Sequence, residues 1–298
     1  MSISHKNHFL RQYKNRIVVF LIPLTLYMLI FFLYPIFYNI YISFFSYTLG
    51  GEKTFNHGKN YQLLLQDSQF LASLGTTAIF IVATVAIELL LGLSIAFLLN
   101  KENKLFTGIR TLILLPTVFP PLVVGLIWKA LYHPDLGLIT YYLRYLGVNI
   151  GRGLLVERHL ALFAIIIIDV WEWTPLVAIM LLSGLKSLPR DPYEAAVIDG
   201  ANGFQLLYYI TLPLLKPTIL IAILIRALDS MKAFDTIFAT TNGGPGTATT
   251  VANLRIYEVG IQQSNIGYAS ALSNVLLTLG ILLGALFIHN LYSEDKKK

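Results

Sequence analysis

Cysteine is absent from this sequence of 298 residues. Its absence excludes disulfide bridges, metal sites built on thiolates, cysteine nucleophiles and membrane anchors attached through a lipidated cysteine. The six histidines are scattered and, apart from the pair near the N-terminus, show no spacing typical of metal ligands. The sequence therefore predicts no metal centre.

Charged residues are scarce, at 13% of the chain, whereas a soluble domain has about a quarter. Hydrophobic residues make up 56% of the chain, and the mean hydropathy is +0.67. Several apolar runs exceed the roughly 20 residues that a helix needs to cross a bilayer. The sequence predicts a polytopic membrane protein with the lipid bilayer as its surroundings.

Several functional motifs are also missing. No G-x-x-x-x-G-K-[ST] stretch is present to hold a nucleotide phosphate, and no basic stripe with interleaved aromatics indicates nucleic-acid binding. No motif supports a Ser/His/Asp catalytic group around His159 or His289. We therefore expect no enzymatic activity, no bound cofactor and no nucleic-acid partner.

Six apolar segments predict an all-α fold with six transmembrane helices. Prolines interrupt the third segment at Pro116 and Pro120-Pro121, and between spans we expect a short helix near Leu138 to Leu146. A tight turn is predicted at Asn242 to Gly246. The predicted spans are Ile17 to Phe45, Leu71 to Asn100, Thr111 to Leu131, His159 to Leu185, Leu214 to about Thr236, and Ile266 to Tyr292.

Basic residues predict the orientation of these spans. An even number of spans places both ends on one side, and the segments on that side hold 13 Lys and Arg against six in the two larger external loops. The inner segments are the shorter ones and hold Lys and Arg more densely, as the positive-inside rule requires. Both termini, the tail 1–16 and the basic end 291–298, are therefore predicted to be cytoplasmic.

The longest polar interruption on the cytoplasmic side runs from Asp191 to Pro213 and reads DPYEAAVIDGANGFQLLYYITLP. Asp191 is a favoured N-cap, and Glu194 three residues later forms the pattern of a capping box. Gly200 is a favoured helix stop because glycine tolerates the left-handed conformation. A second short helix is expected around Phe204 to Tyr209, closed by the proline that ends the stretch.

The same stretch resembles the EAA signature of binding-protein-dependent ABC importer permeases. The resemblance lies in Glu194-Ala195-Ala196, in a glycine after three more residues, and, nine residues further, in Ile210-Thr211-Leu212-Pro213. In that family the loop, here residues 186–213, is the coupling element that sits in a cleft of a separate ATPase subunit. The resemblance implies this role for Glu194, Ala195, Ala196, Asp199, Gly200 and Pro213.

Charged residues within the fourth span are candidates for a substrate pathway, since charges at bilayer depth are costly. Asp169 and Glu172 lie three residues apart on one helical face, and Trp171 and Trp173 flank Glu172. Carboxylates beside flat aromatic faces suit a polyhydroxylated ligand such as a sugar. The alternative is that these carboxylates pair with Arg226 or Lys232 for purely structural reasons.

The fifth span carries a ladder of alternating charge: Arg226, Asp229, Lys232 and Asp235, each three residues from the next. At this spacing each side chain reaches its neighbour. Such pairing lowers the cost of burial and leaves a polar face for a translocation path. For Lys232 and Asp235, a helix end that emerges into water is an equal alternative.

The resemblance extends to carbohydrate-type importer permeases, the group that includes maltose and glycerol-3-phosphate systems. It covers most firmly residues 70–290, through RALDSMKAFDTIFATTNGGPGTAT and the later GYASALSN, with residues 17–69 as a preceding span and loop. It implies the type I ABC importer transmembrane fold. It also implies a loop facing the substrate-binding protein at Gly243, Gly244, Pro245 and Gly246, for which a plain reverse turn is the alternative.

The resemblance implies a permease subunit of an ATP-driven importer for a sugar or sugar derivative in a bacterial cell membrane. The implied partners are a second, related permease, two ATPase subunits that bind ATP and magnesium, an extracytoplasmic solute-binding protein and a carbohydrate. A self-sufficient carrier driven by an ion gradient is the alternative, with the charges of spans four and five as an ion relay. Such carriers often show internal repeats, and none is apparent here.

Overall fold

The computed structural model describes residues 21–100, 108 and 111–295. The predicted N-terminal tail, the first residues of the first span, most of the basic connection at 101–110 and the three terminal lysines lie outside the described residues. The predicted all-α class is confirmed, with one small hairpin of strands β1 and β2. The helices, in chain order, are α1 (Leu21–Ile42), α2 (Lys59–Gln66), α3 (Ser68–Leu99), α4 (Leu115–Val118), α5 (Pro121–Leu131), α6 (Leu138–Tyr145), α7 (Arg158–Lys186), α8 (Asp191–Ile198), α9 (Gly203–Ser230), α10 (Asp235–Thr240), α11 (Ala252–Tyr257) and α12 (Ile266–Asp295).

Five of the described helices are long and apolar enough to cross a membrane: α1, α3, α7, α9 and α12. The third predicted span differs, because it is divided into α4 and the 11-residue α5. Phe119 and Pro120 between them have extended backbones, with ψ near 140° and 136°. The two consecutive prolines cause this break, since a residue before proline avoids the helical region.

One compact unit consists of residues up to Gln66 together with Tyr257–Val275. In the predicted polar loop after α1, Phe45–Ser46 (β1) pairs antiparallel with Thr54–Phe55 (β2), and α2 follows. The Asn39 amide donates to Asn274 Oδ1 at 2.7 Å, which ties the end of α1 to α12. This loop is therefore more structured than the sequence indicated.

The second unit, Asp67–Ile256 and Leu276–Lys298, contains the helical core. Helices α3 and α7 make the most extensive contact, and α9 packs against both. Gly92 of α3 is needed there, since a Cβ would lie 2.8 Å from Val177 Cγ1 of α7. The core side chains at this contact are Ala96, Leu99, Val177, Leu181, Leu182, Leu185, Leu215 and Ala222.

The predicted fifth span is displaced toward the N-terminus. Helix α9 begins at Gly203 and passes through Pro213, so the prediction that Pro213 closes a separate short helix is wrong. A widened π-helical turn at Leu206–Thr211 ends two residues before Pro213, and such turns accommodate local irregularity without ending a helix. The helix then ends at Ser230, and the short helix α10 follows after a break.

Candidate functional site

The polar segment around the EAA motif forms α8 and the exposed start of α9. Helix α8 has no buried residue, and Ile198 at its end is 86% exposed. Its first turn carries Asp191 and Glu194, on the favourable end of the helix dipole. The segment therefore presents its side chains outward instead of packing them on its own chain.

The predicted capping box at the start of α8 is wrong. The N-cap is Arg190, whose backbone is already helical with φ −82° and ψ −30°, and no side chain caps the helix. Because helical bonding starts at Arg190, Asp191 lies one residue inside the helix. A capping box occurs instead at α9, where Asn202 Oδ1 accepts from Gln205 N at 2.9 Å and Gln205 Oε1 accepts from Asn202 N at 2.8 Å.

The predicted stop at Gly200 is confirmed. Gly200 has φ +81°, its N–H donates to the Val197 carbonyl at 3.1 Å, and the Ala201 N–H donates to the Ala196 carbonyl at 2.9 Å. These two bonds form a Schellman motif, which favours glycine at this position. The Tyr193 hydroxyl also donates to Thr211 Oγ1 at 3.0 Å, which joins α8 to α9. The segment is thus rigid although it is exposed.

The structure places the remaining predicted EAA residues on this segment. Glu194, Ala195, Asp199 and Gly200 are exposed, and Ala196 is half-buried. Ala196, Asp199 and Gly200 line a shallow hollow of about 310 Å³ together with Tyr209 of α9. Only Pro213 lies apart, within α9.

Arg226 is the centre of a buried ion cluster between three spans. Its side chain is 1% exposed, and it donates to both carboxylate oxygens of Glu88, from Nε at 2.7 Å and from Nη2 at 2.9 Å. It also donates to Asp169 Oδ2 and Asp229 Oδ2, each at 2.9 Å, and to Ser230 Oγ at 3.2 Å. Charge-assisted bonds of this kind compensate a charge that would otherwise be costly at this depth.

The predicted charge ladder forms two of its three rungs. Asp229 bonds to Arg226 and also lies 3.5 Å from Lys232 Nζ, in agreement with the spacing of three residues. Asp235 does not continue the ladder, because α9 ends before it and Asp235 starts α10. For Lys232, the interpretation as a helix end that emerges into water fits its exposure of 72%.

A polar cavity of about 330 Å³ adjoins the cluster. It brings together five of the seven residues that the sequence suggested for a substrate pathway, and adds Asp235. The predicted residues that line it are Asp169, Trp173, Arg226, Asp229 and Lys232. The Arg226 guanidinium lies 4.9 Å from the centre of the Trp173 ring, so one face of this aromatic is covered by a cation.

Trp171 and Glu172 have different surroundings. Trp171 is two residues from Trp173, about 200° around the helix, and faces an apolar groove of about 440 Å³. There its ring centre lies 5.6 Å from that of Trp128. Glu172 is 1% exposed, and neither of its oxygens has a hydrogen-bond partner within the described part of the chain. The structure therefore does not join these two side chains to the cavity.

Glu88 and Ser230 belong to the cluster but were not predicted as site residues. Glu88 was visible in the sequence as the single ionisable residue of an apolar span. A lone carboxylate in such a span requires a partner from another helix, and Arg226 is the most enclosed cation among the described residues. The pairing of Asp169 with Arg226 agrees with the structural alternative for that carboxylate.

The loop containing Gly243 to Gly246 forms a closed turn, as predicted. Gly243 and Gly246 have positive φ, and the bond between Gly244 and Pro245 is cis. Thr249 Oγ1 donates to the Gly244 carbonyl at 2.8 Å, and Thr250 Oγ1 donates to the Gly243 carbonyl at 3.2 Å. These bonds fix the loop from its C-terminal side.

Residues 88–295 match the family described as the inner membrane component of binding-protein-dependent transport systems. This match includes the EAA segment, the ion cluster and the glycine loop. The chain belongs to this family. It is thus a multi-pass membrane component of such a transport system, and the family predicted from the EAA segment is confirmed.

Relatives within the family carry names of sugar transport systems. The chain is 36% identical to the trehalose/maltose transport system permease protein MalF of Thermococcus litoralis, over 90% of each chain. It is 31% identical to the sulfoquinovosyl glycerol transport system permease protein SmoG of Agrobacterium fabrum, over 93% of this chain and 91% of the relative.

A solved structure has the same fold. It belongs to a bacterial ABC transporter involved in import of the acidic polysaccharide alginate, and it superposes with a TM-score of 0.81 at 20% identity. The match covers 96% of this chain and 99% of that chain. The transmembrane architecture of this family component is therefore that of an ABC importer.

Proposed function

We propose that this chain is a permease subunit of an ATP-driven importer for a sugar or sugar derivative. It forms half of the translocation pathway, and a second, related permease forms the other half. The names of its relatives support the substrate class. The absence of a nucleotide-binding motif from the sequence fits a division of labour in which two separate subunits bind ATP and magnesium.

The observation that carries the proposal is the rigid, exposed EAA segment. The Schellman motif at Gly200 fixes the end of α8, and the capping box at Asn202 fixes the start of α9. The Tyr193–Thr211 hydrogen bond joins the two helices. Exposed apolar side chains on this segment, Val197, Ile198 and Phe204, suit a protein cleft. We therefore assign the segment as the coupling element for an ATPase subunit.

The connection between the coupling segment and the pathway is α9 itself. Its first residues belong to the coupling segment, and its other end carries Arg226, which bonds to Glu88 of α3 and Asp169 of α7. A displacement of the segment by ATP-driven closure of the ATPase subunits is transmitted along this helix. The three spans joined at Arg226 then move together, which opens or closes the adjoining cavity.

A transporter of this kind alternates between inward-open and outward-open forms. Only a partner that binds one form better shifts this equilibrium, so the loaded solute-binding protein prefers the outward-open form. We place the loop Gly243 to Gly246 on that extracytoplasmic side and both termini in the cytoplasm. The self-sufficient ion-coupled carrier is disfavoured by family membership.

The test uses the complete transporter, with its ATPase subunits, second permease and binding protein, reconstituted in liposomes. Gly200→Arg abolishes ATP-driven uptake of labelled maltose or trehalose, because the left-handed backbone and the docking surface are both lost. The matched control is Gly147→Arg, since Gly147 has a similar φ of +77° and equally open surroundings after α6. Normal uptake in the Gly200 variant, with normal membrane levels, would contradict the assignment.

A further inference from the structure

The polar cavity beside Arg226 has more carboxyl groups than basic groups around it. Four carboxylates surround it or lie directly behind it, from Glu88, Asp169, Asp229 and Asp235. The positive groups are Arg226 and Lys232. The formal excess is two negative charges, and Glu172 is not included in this count.

Arg226 is not available to an anionic ligand. Its guanidinium already bonds to three carboxylates, and its side chain is 1% exposed. The face of Trp173 covers it from another direction, at 4.9 Å. A sugar carboxylate, sulfonate or phosphate would have to displace one of these carboxylates, and displacement of Glu88 or Asp169 would leave it buried and unpaired.

Lys232 adds little attraction for an anionic sugar. Its amino group lies 3.5 Å from Asp229, and at 72% exposure it is largely screened by water. Asp235, also on the cavity wall, adds an exposed carboxylate at the start of α10. Ionised carboxylates act only as hydrogen-bond acceptors, so they suit sugar hydroxyls and disfavour a second anion.

We infer that this cavity discriminates against anionic sugars, so that the transported substrate is an uncharged or positively charged sugar. This inference rests on the proposed function, because it takes the cavity as part of the pathway. Relatives leave the question open, since one is named for trehalose and maltose and another for a sugar sulfonate. The arrangement of charge around Arg226 in this chain favours the uncharged sugar.

The experiment compares maltose with maltobionate, in which the reducing glucose is oxidised to an open-chain gluconate that carries one carboxylate. The ring opening is the same for every variant, so a change of the ratio between variants reports on the charge. The complete transporter is reconstituted with its binding protein, and each sugar is supplied at a concentration that loads the binding protein to the same extent. The measured quantity is the ratio of maltobionate uptake to maltose uptake. Equal loading separates the selectivity of the cavity from that of the binding protein.

Asp235 is the residue to change, because its exposed carboxylate is not bonded to Arg226. In the wild type the uptake ratio lies well below one. Asp235→Asn raises it, and Asp235→Lys raises it by about tenfold, which corresponds to about 1.4 kcal/mol. Asp135→Asn is the matched control, since Asp135 is exposed between α5 and α6 and does not line the cavity.

The results distinguish failure of the charge inference from failure of the proposed importer function. A wild-type ratio near one, or an unchanged ratio in Asp235→Lys with normal maltose uptake, overturns the charge inference and leaves the importer function standing. Failure of the wild-type complex to take up, with ATP, any sugar that its binding protein binds overturns the sugar importer function, and the inference falls with it.

Discussion

Arg226 and Glu88 form a bidentate pair across 138 residues of sequence, with Nε–Oε2 and Nη2–Oε1 distances of 2.7 and 2.9 Å. Both side chains are at most 1% exposed. The pair joins the second and fifth predicted spans, and Asp169 adds the fourth through the same guanidinium. One cation therefore organises the polar interior of three helices.

Loss of this cation is expected to destabilise the protein strongly. Arg226→Met leaves three carboxylates without their shared partner, and removal of one side of a buried ion pair costs about 3–5 kcal/mol. Arg226→Lys recovers only part of this loss, because an ammonium group cannot reproduce the planar fork. Thermal unfolding of the purified transporter measures the effect.

The control for this prediction is Arg158→Met, at the exposed start of α7. Its unfolding midpoint remains that of the wild type. An unchanged midpoint for Arg226→Met would show that the cluster contributes nothing to stability.

Helix contacts between α3 and α7 give a second prediction. Gly92→Ala introduces a Cβ 2.8 Å from Val177 Cγ1 and 3.2 Å from the Ala178 backbone nitrogen. Because α7 cannot shift freely in the core, this overpacking lowers stability by about 1–3 kcal/mol. Gly75→Ala lies on the same helix with no atom within 4 Å of the new Cβ, and is expected to be neutral or slightly stabilising. Equal unfolding midpoints for the two variants would contradict this explanation.

The sequence predicted what depends on local chemistry. The glycine stop at Gly200 follows from the left-handed backbone that only a few residues tolerate, and the break before Pro121 follows from proline geometry. The helix at Leu138–Tyr145 was also predicted within one residue of its observed end. These features need no information from distant parts of the chain.

Features that depend on distant partners were predicted less well. One local motif was also wrong: the capping box was assigned to Asp191, but the backbone of Arg190 is helical, so the helix starts one residue earlier than side-chain preferences indicated. The partner of Glu88 could not be identified from an apolar span alone, because Arg226 lies 138 residues away. Trp171 was predicted to line the substrate pathway, but it faces the apolar groove. This difference likewise depends on which side of α7 packs against α3.

The side of the membrane on which the EAA segment lies gives a third prediction, and the absence of cysteine makes it simple to test. Ile198 and Leu136 are almost equally exposed, at 86% and 87%, in the coupling segment and in the segment between α5 and α6. We expect a membrane-impermeant maleimide to label Leu136→Cys in intact cells. In cells that express the permease without its ATPase subunits, so that the proposed cleft does not cover this residue, Ile198→Cys is labelled only after the membrane is opened.

Labelling of Ile198→Cys from outside intact cells would place the EAA segment on the wrong side for an ATPase and would overturn the proposed function. A permeable maleimide that labels both variants equally in the same cells controls for their reactivity.

The capping box at the start of α9 gives a fourth prediction, because it fixes the junction between the two coupling helices. Asn202→Ala removes the acceptor for Gln205 N, which costs about 1 kcal/mol, and hydrogen exchange of the amides at 203–206 accelerates roughly fivefold. Asn202→Asp restores the acceptor and the slow exchange. Asn149→Ala serves as a control, since the Asn149 side chain accepts a similar hydrogen bond from Gly151 N before α7.

If the junction transmits motion, maltose uptake falls in Asn202→Ala, recovers in Asn202→Asp and is normal in Asn149→Ala. Unchanged exchange at 203–206 in Asn202→Ala would show that the junction is held by the Schellman motif alone.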